Sequence, residues 1–124
     1  MKTIDNIVSE FTLKDIADMK MDIPTFIEKF NENEVVLVDV RMPFETKVWG
    51  VKFALEIPYN ELPAKLDVLP KEKTIVCVCP VEYRANMAKE YLRFKGFDVK
   101  TLNGGLVQLV QALQGGKAKE IHLR

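Results

Sequence analysis

Cys79 closes an apolar run, Thr74-Ile75-Val76-Cys77-Val78-Cys79, and stands five positions before Arg84. A thiol followed at that distance by a permanent cation suits attack by a thiolate on an electrophilic sulfur or phosphorus that carries negative oxygens. Pro80, Val81, Glu82 and Tyr83 lie between them. If this segment curls around the sulfur, the backbone N–H groups of Val81, Glu82, Tyr83 and Arg84 point inward as an anion-binding nest, whereas Pro80 has no N–H to offer. Arg84 then charges the rim or braces the loop. A thiolate held in this way is already charged at neutral pH, so the chemistry needs no general base.

The flanking elements must create that placement. Thr74 to Cys79 is a short β-branched run of the kind that forms a buried parallel strand. Residues 83–95 have helical composition, and Gly96 sits where a C-cap glycine belongs. Cys79 therefore falls at the carboxyl end of a strand and faces a helix N-terminus. Ligands of open α/β sheets bind there, and the helix dipole favours a thiolate. Cysteine is also a small hydrophobe common in buried strands. That structural reading fits Cys77, which lies mid-strand; because period two places it on the side of Cys79, a resolving-thiol role is the alternative.

The rest of the chain supplies a sheet and its covers. Ile4, Ile7, Val8 and Phe11 have the spacing of one helix face, which predicts a helix over residues 4–17 packed against the domain, with a partner-binding or dimerising helix as the second reading. Met19, Met21 and Ile23 alternate with polar residues as in an edge strand. Asp22 and Pro24 mark a helix start, and Asn31 to Glu34 its end. Val35 to Val40 predicts a central strand, Arg41 to Glu45 a turn into a helical segment, and Phe53 to Ile57 a shorter strand closed by Pro58. Asn60 can cap a helix running to about Leu69, with Pro63 tolerated in its first turn. Phe97 to Leu102 predicts the last strand, Asn103-Gly104-Gly105 breaks it, and Leu106 to Gln114 predicts a final helix. Such alternation means βα units, hence a parallel sheet with helices on both faces.

Composition narrows the function. The 124 residues fit one domain, with 48% hydrophobic and 29% charged residues, as in ordinary globular proteins. Eighteen basic residues balance eighteen acidic ones, so the chain has no electrostatic footprint for nucleic acid or an anionic membrane. The first fifteen residues are interrupted by charges and contain no signal-peptide core, and no apolar run reaches membrane-spanning length. Cys77 and Cys79 are too close along a strand to form a disulfide, which points to reduced thiols and a cytoplasmic location. Two cysteines and one histidine fall short of a structural zinc set, so no metal or cofactor is expected; His122 is expected as a solvated surface residue.

Five blocks in register carry a family resemblance: Leu37-Val38-Asp39-Val40-Arg41, Phe44-Glu45, Ile57-Pro58, Cys79 with Arg84, and Leu102-Asn103-Gly104-Gly105-Leu106. Their order and spacing, over about residues 21–113, resemble a single-domain rhodanese. The resemblance implies a three-layer α/β fold, a five-stranded parallel sheet with helices on both faces. The domain would occupy residues 21–116, after an N-terminal helical extension (1–20) and before a tail (117–124). It also implies sulfurtransferase chemistry, in which Cys79 takes a sulfane sulfur from a donor, becomes a persulfide, and passes the sulfur to a thiol or other nucleophile. By position, the amides of residues 81–84 would cradle the sulfur, Arg84 would close the loop, Asp39 would help brace it, and Arg41 would form a scaffold ion pair with Glu45.

The loop differs from the family's usual one in having no glycine, where a tight turn with φ > 0 would strain a glutamate. Directed into the nest, Glu82 would also repel a dianion. These features favour a neutral or protein-borne persulfide, or a polysulfide, over thiosulfate, so the expected partner is a small sulfur-containing substrate or a persulfidated protein. Two other classes compete. One is a non-catalytic rhodanese-like binding module contacting a partner around Tyr83 and Trp49. The other is a cysteine phosphatase or arsenate reductase, whose loop normally places five residues between Cys and Arg where this chain has four.

Overall fold

The computed structural model describes residues 3–123. Its centre is a five-stranded, wholly parallel sheet in the order β1-β5-β4-β2-β3. The strands are β1 (Lys20–Met21), β2 (Val35–Asp39), β3 (Ala54–Glu56), β4 (Thr74–Val78) and β5 (Val99–Leu102). The helices are α1 (Ile4–Ser9), α2 (Leu13–Asp18), α3 (Ile23–Asn31), α4 (Pro43–Thr46), α5 (Tyr83–Phe94) and α6 (Gly105–Ala112). Among the described residues, no helix is long and apolar enough to cross a membrane.

Period-two alternation sorts the core into two layers. Ile75, Cys77 and Cys79, with Val38 and Val40, face Ala85, Ala88 and Leu92 of α5. Val76, Val78, Val35 and Leu37 face the other way, onto Phe26 and Phe30 of α3 and Leu106 and Leu109 of α6. The central strands β2 and β4 are covered on both faces, which is why they are continuous apolar runs. Asp22 caps α3 by accepting the Thr25 N–H at 2.8 Å, and Gly96 follows α5 at φ +95°.

Three expectations are corrected. The stripe over residues 4–17 forms two helices, not one. Glu10 caps the end of α1, and Thr12 opens α2 by donating its N–H to Asp15 Oδ2 at 2.7 Å, a capping box that restarts the helix. Nor does the stripe join the core: Ile4, Val8, Phe11, Leu13 and Ile16 are all exposed. The segment expected as a helix capped by Asn60 is a 3₁₀ stretch, Tyr59–Val68, which begins after Pro58 and kinks at Lys65. Pro63 withholds one N–H from any α ladder, yet Leu62 and Leu69 still reach the core. The tail, without a period in the sequence, forms a second 3₁₀ stretch, Gly115–Glu120. Asn31 ties it down by donating to the Glu120 carbonyl and accepting the His122 N–H, both at 2.8 Å.

Candidate active site

Cys79 lies one residue beyond β4, and two helix N-termini converge on it. In α5 the N–H groups of Tyr83, Arg84 and Ala85 begin the helix and have no intrahelical acceptor. That of Ala85 donates to Cys79 Sγ at 3.3 Å. From α6, the Leu106 and Val107 N–H groups donate to the carbonyls of Cys79 (3.0 Å) and Pro80 (3.2 Å). One helix start therefore meets the sulfur and the other holds the backbone that carries it. Cys79 is only 2% exposed, whereas Val81 and Tyr83 are 64% and 81% exposed. The sulfur forms the floor and the loop its solvated crest.

The close approach of α6 to the loop explains Gly105, and a positive φ calls for glycine at 104 as well. Both have positive φ (+90° and +72°), and a Cβ on Gly105 would stand 1.9 Å from the Val81 carbonyl oxygen. Glycine is thus needed opposite the loop and not within it. Among the described residues, Asn33 is the one non-glycine with positive φ, so Glu82 bears no such strain. This corrects the expectation that a glycine-free loop is costly.

Glu82 does not point into the nest either. Its carboxylate pairs with Lys20 Nζ and accepts the Gly104 N–H at 2.9 Å, and these two donors, Lys20 first, hold its carboxyl below the usual carboxylate range. The repulsion expected of it is therefore compensated at the edge of the sheet.

Arg41 does not take its expected partner Glu45, which pairs with Arg84 instead. Arg84 donates from Nη1 to Glu45 Oε1 (2.6 Å) and from Nη2 to Oε2 (2.8 Å), a fork that ties α5 to α4. The Arg84 hydrogen bond pulls the Glu45 carboxyl down to about 2, with help from the Met42 N–H and against the opposing effect of burial. Arg41, expected to pair with Glu45, instead lies beside Asp39. Nε stands 3.0 and 3.1 Å from its two oxygens, and Nη2 stands 2.7 Å from Oδ2. Positions 39 and 41 point to one side of an extended chain, so the guanidinium folds back while α4 carries Glu45 towards α5. Asp39 spends its hydrogen bonds on Arg41, and the loop is braced by Glu45 instead. Arg41 also donates to the Trp49 carbonyl at 2.9 Å and lies 4.2 Å from that ring's centroid. Trp49 is thereby fixed to the scaffold.

Cys77 is fully buried, and burial, with the nearby Cys79, pushes its thiol up to about 12. Four contributors escaped the sequence reading: the Ala85 amide, Glu45 as the partner of Arg84, the glycine pair, and Lys20. Two adjacent glycines between a strand and an apolar helix were a usable sign of close backbone approach. Lys20, more than sixty residues from Glu82 in the chain, gave none.

The rhodanese-like domain model matches residues 23–112. A sulfurtransferase of Allochromatium vinosum is 32% identical over 75 residues, which cover 60% of this chain and 70% of that protein. The putative sulfurtransferase YtwF of Bacillus subtilis is 29% identical over 76 residues, 61% of this chain and 74% of that one. Among solved structures, a rhodanese-like domain protein from Staphylococcus aureus superposes with a TM-score of 0.66 at 27% identity, covering 73% of this chain and 89% of its own. The chain belongs to the rhodanese-like domain family. The superposition with the Staphylococcus aureus structure places the parallel sheet and its two helical layers in the rhodanese-like α/β fold.

Proposed function

We propose that this protein is a sulfurtransferase or persulfide carrier acting through Cys79. The observation that carries the reading is the position of Cys79 Sγ, which accepts the Ala85 N–H at the start of α5. A helix N-terminus stabilises the thiolate that must attack and the terminal persulfide anion that results. The thiolate attacks the sulfane sulfur of a donor; the donor's bond to that sulfur breaks, and its remainder leaves with the electron pair. A second nucleophile then takes the outer sulfur and regenerates the Cys79 thiolate. Oxidation states balance without a cofactor. Relatives named as sulfurtransferases support the same reading.

The test is intact-protein mass spectrometry after incubation with polysulfide and, separately, thiosulfate. One added sulfur atom, removable by cyanide, is expected in the wild type and in Cys77→Ser, and none in Cys79→Ser. Sulfur retained by folded Cys79→Ser rules out Cys79 as the carrier. No gain in the wild type from either donor favours the non-catalytic binding module, which the near-complete burial of Cys79 also suits.

A further inference from the structure

Glu82 occupies the N-cap of α5, and its carbonyl accepts the Asn86 N–H at 2.9 Å, yet its side chain does not cap the helix. At the starts of α1 and α3, Thr3 and Asp22 have ψ of 164° and 163°, and their side chains accept the N–H groups of Asn6 and Thr25. At Glu82 ψ is −20° and no such bond forms. A carboxylate at a helix start is ordinarily drawn to the free N–H groups and the positive end of the dipole. This one turns away from them. Lys20 Nζ pairs with its Oε1, and the Gly104 N–H donates to its Oε2 at 2.9 Å.

The consequence falls on Cys79. Ala85 is the third residue of α5, the position whose N–H a capping side chain takes. In α3 the equivalent N–H, that of Thr25, goes to Asp22. In α5 it goes to Cys79 Sγ at 3.3 Å, so the sulfur stands where the cap would be. Two acceptors, the thiolate and the Glu82 carboxylate, thus compete for one helix start. The group that decides between them is anchored on the sheet. Lys20 belongs to the edge strand β1, which the Thr101 and Asn103 N–H groups hold by the carbonyls of Met19 and Met21, both at 2.8 Å.

We infer that Lys20 is a positioning residue for Cys79, which with Gly104 holds the Glu82 carboxylate off the start of α5 and reserves the Ala85 N–H for the sulfur. This rests on Cys79 as the reacting group, as in the proposed function, but not on sulfur as the group transferred. Without the Lys20 ammonium, the Glu82 carboxylate caps α5, takes the Ala85 N–H, and sets a negative charge beside the thiolate. The Lys20 side chain is 46% exposed, so its replacement leaves the core intact.

Alkylation of Cys79 by neutral iodoacetamide and by anionic iodoacetate tests this, with mass spectrometry to locate the adduct. Lys20→Met is expected to slow iodoacetamide about fivefold, through loss of the Ala85 donor, and iodoacetate about fivefold further, because the unpaired carboxylate repels the anionic reagent. Lys20→Arg, which keeps the charge, is expected to stay within about threefold of the wild type. Adding Glu82→Gln to Lys20→Met is expected to return the ratio of the two rates to the wild-type value. A merely structural Lys20 would slow both reagents equally and gain nothing from Glu82→Gln. Unchanged rates in Lys20→Met, or a loss that Glu82→Gln does not reverse, overturn the inference, as does a wild-type Cys79 that neither reagent labels. Alkylation transfers no sulfur, so failure of the sulfurtransferase reading shows separately, as absent sulfur gain with this alkylation pattern intact.

Discussion

Asp39–Arg41 and Glu45–Arg84 are made of the same two chemical groups, and the first members of the pairs lie six residues apart in the chain. The first pair is fully buried behind the end of β2, beneath Trp49; the second is partly solvated and joins two surface helices at the rim of the Cys79 loop. Burial changes what each contributes. Two desolvated charges attract strongly but give up much hydration, so each becomes indispensable to the other. A solvated pair contributes little net stability and acts chiefly as a geometric clamp. Asp39–Arg41 thus holds the scaffold, and Glu45–Arg84 sets the loop. Even the inner pair is incompletely satisfied, because Arg41 Nη1 is buried without a hydrogen-bond partner among the described residues.

The contrast is broken most severely at Asp39. Asp39→Asn leaves the guanidinium buried without a countercharge, with an expected loss of about 3–5 kcal/mol in chemical denaturation. A loss under about 1 kcal/mol would mean that water reaches the pair, and the distinction from Glu45–Arg84 would collapse.

Gly105→Ala probes the connection between the two regions from the side of α6. Its Cβ meets a backbone carbonyl that cannot rotate away, at a positive φ. The expected destabilisation is about 2–3 kcal/mol. Displacement of Val81 should also slow sulfur loading at Cys79. Normal loading in a stable Gly105→Ala protein would show that the loop tolerates being moved.

Glu45→Gln is the mildest change. Its expected cost is at most about 1 kcal/mol at neutral pH. The sign with pH follows from the folded Glu45 carboxyl lying near 2, below its ordinary value of 4.5. Its contribution is complete above about 4.5 and fades as the pH falls towards 2. The stability gap between wild type and Glu45→Gln, measured by denaturation from pH 6 down to pH 3, should therefore narrow with acid. A gap that widens with acid would assign the shift to another group.

The sequence shows where its legibility stops. Positions governed by local pattern could be read: the apolar runs at 35–40 and 74–79, the Asp22 cap, and Cys79 before a helix start. The stripe at 4–17 obeyed the same local rule for helix formation, but its burial depended on a surface elsewhere in the chain. There α1, α2 and the end of α5 leave a cavity of about 770 Å³ lined by Ile7, Phe11, Met19 and Phe94. Helical spacing specifies which residues share a face, not what covers that face.

The same division holds at the site. By itself the sequence determined the strand–cysteine–helix succession, because apolar period, β-branching and capping chemistry act over a few residues. Only the tertiary structure decided that Arg84 takes Glu45, that Arg41 takes Asp39, that Glu82 turns to Lys20, and that the glycine a tight loop seemed to need stands at position 105. Arg84 and Glu45 lie 39 positions apart and Lys20 and Glu82 lie 62 apart, so their meeting depends on how the helices and strands pack. Arg41 turns to nearby Asp39 because Glu45 is carried away towards α5.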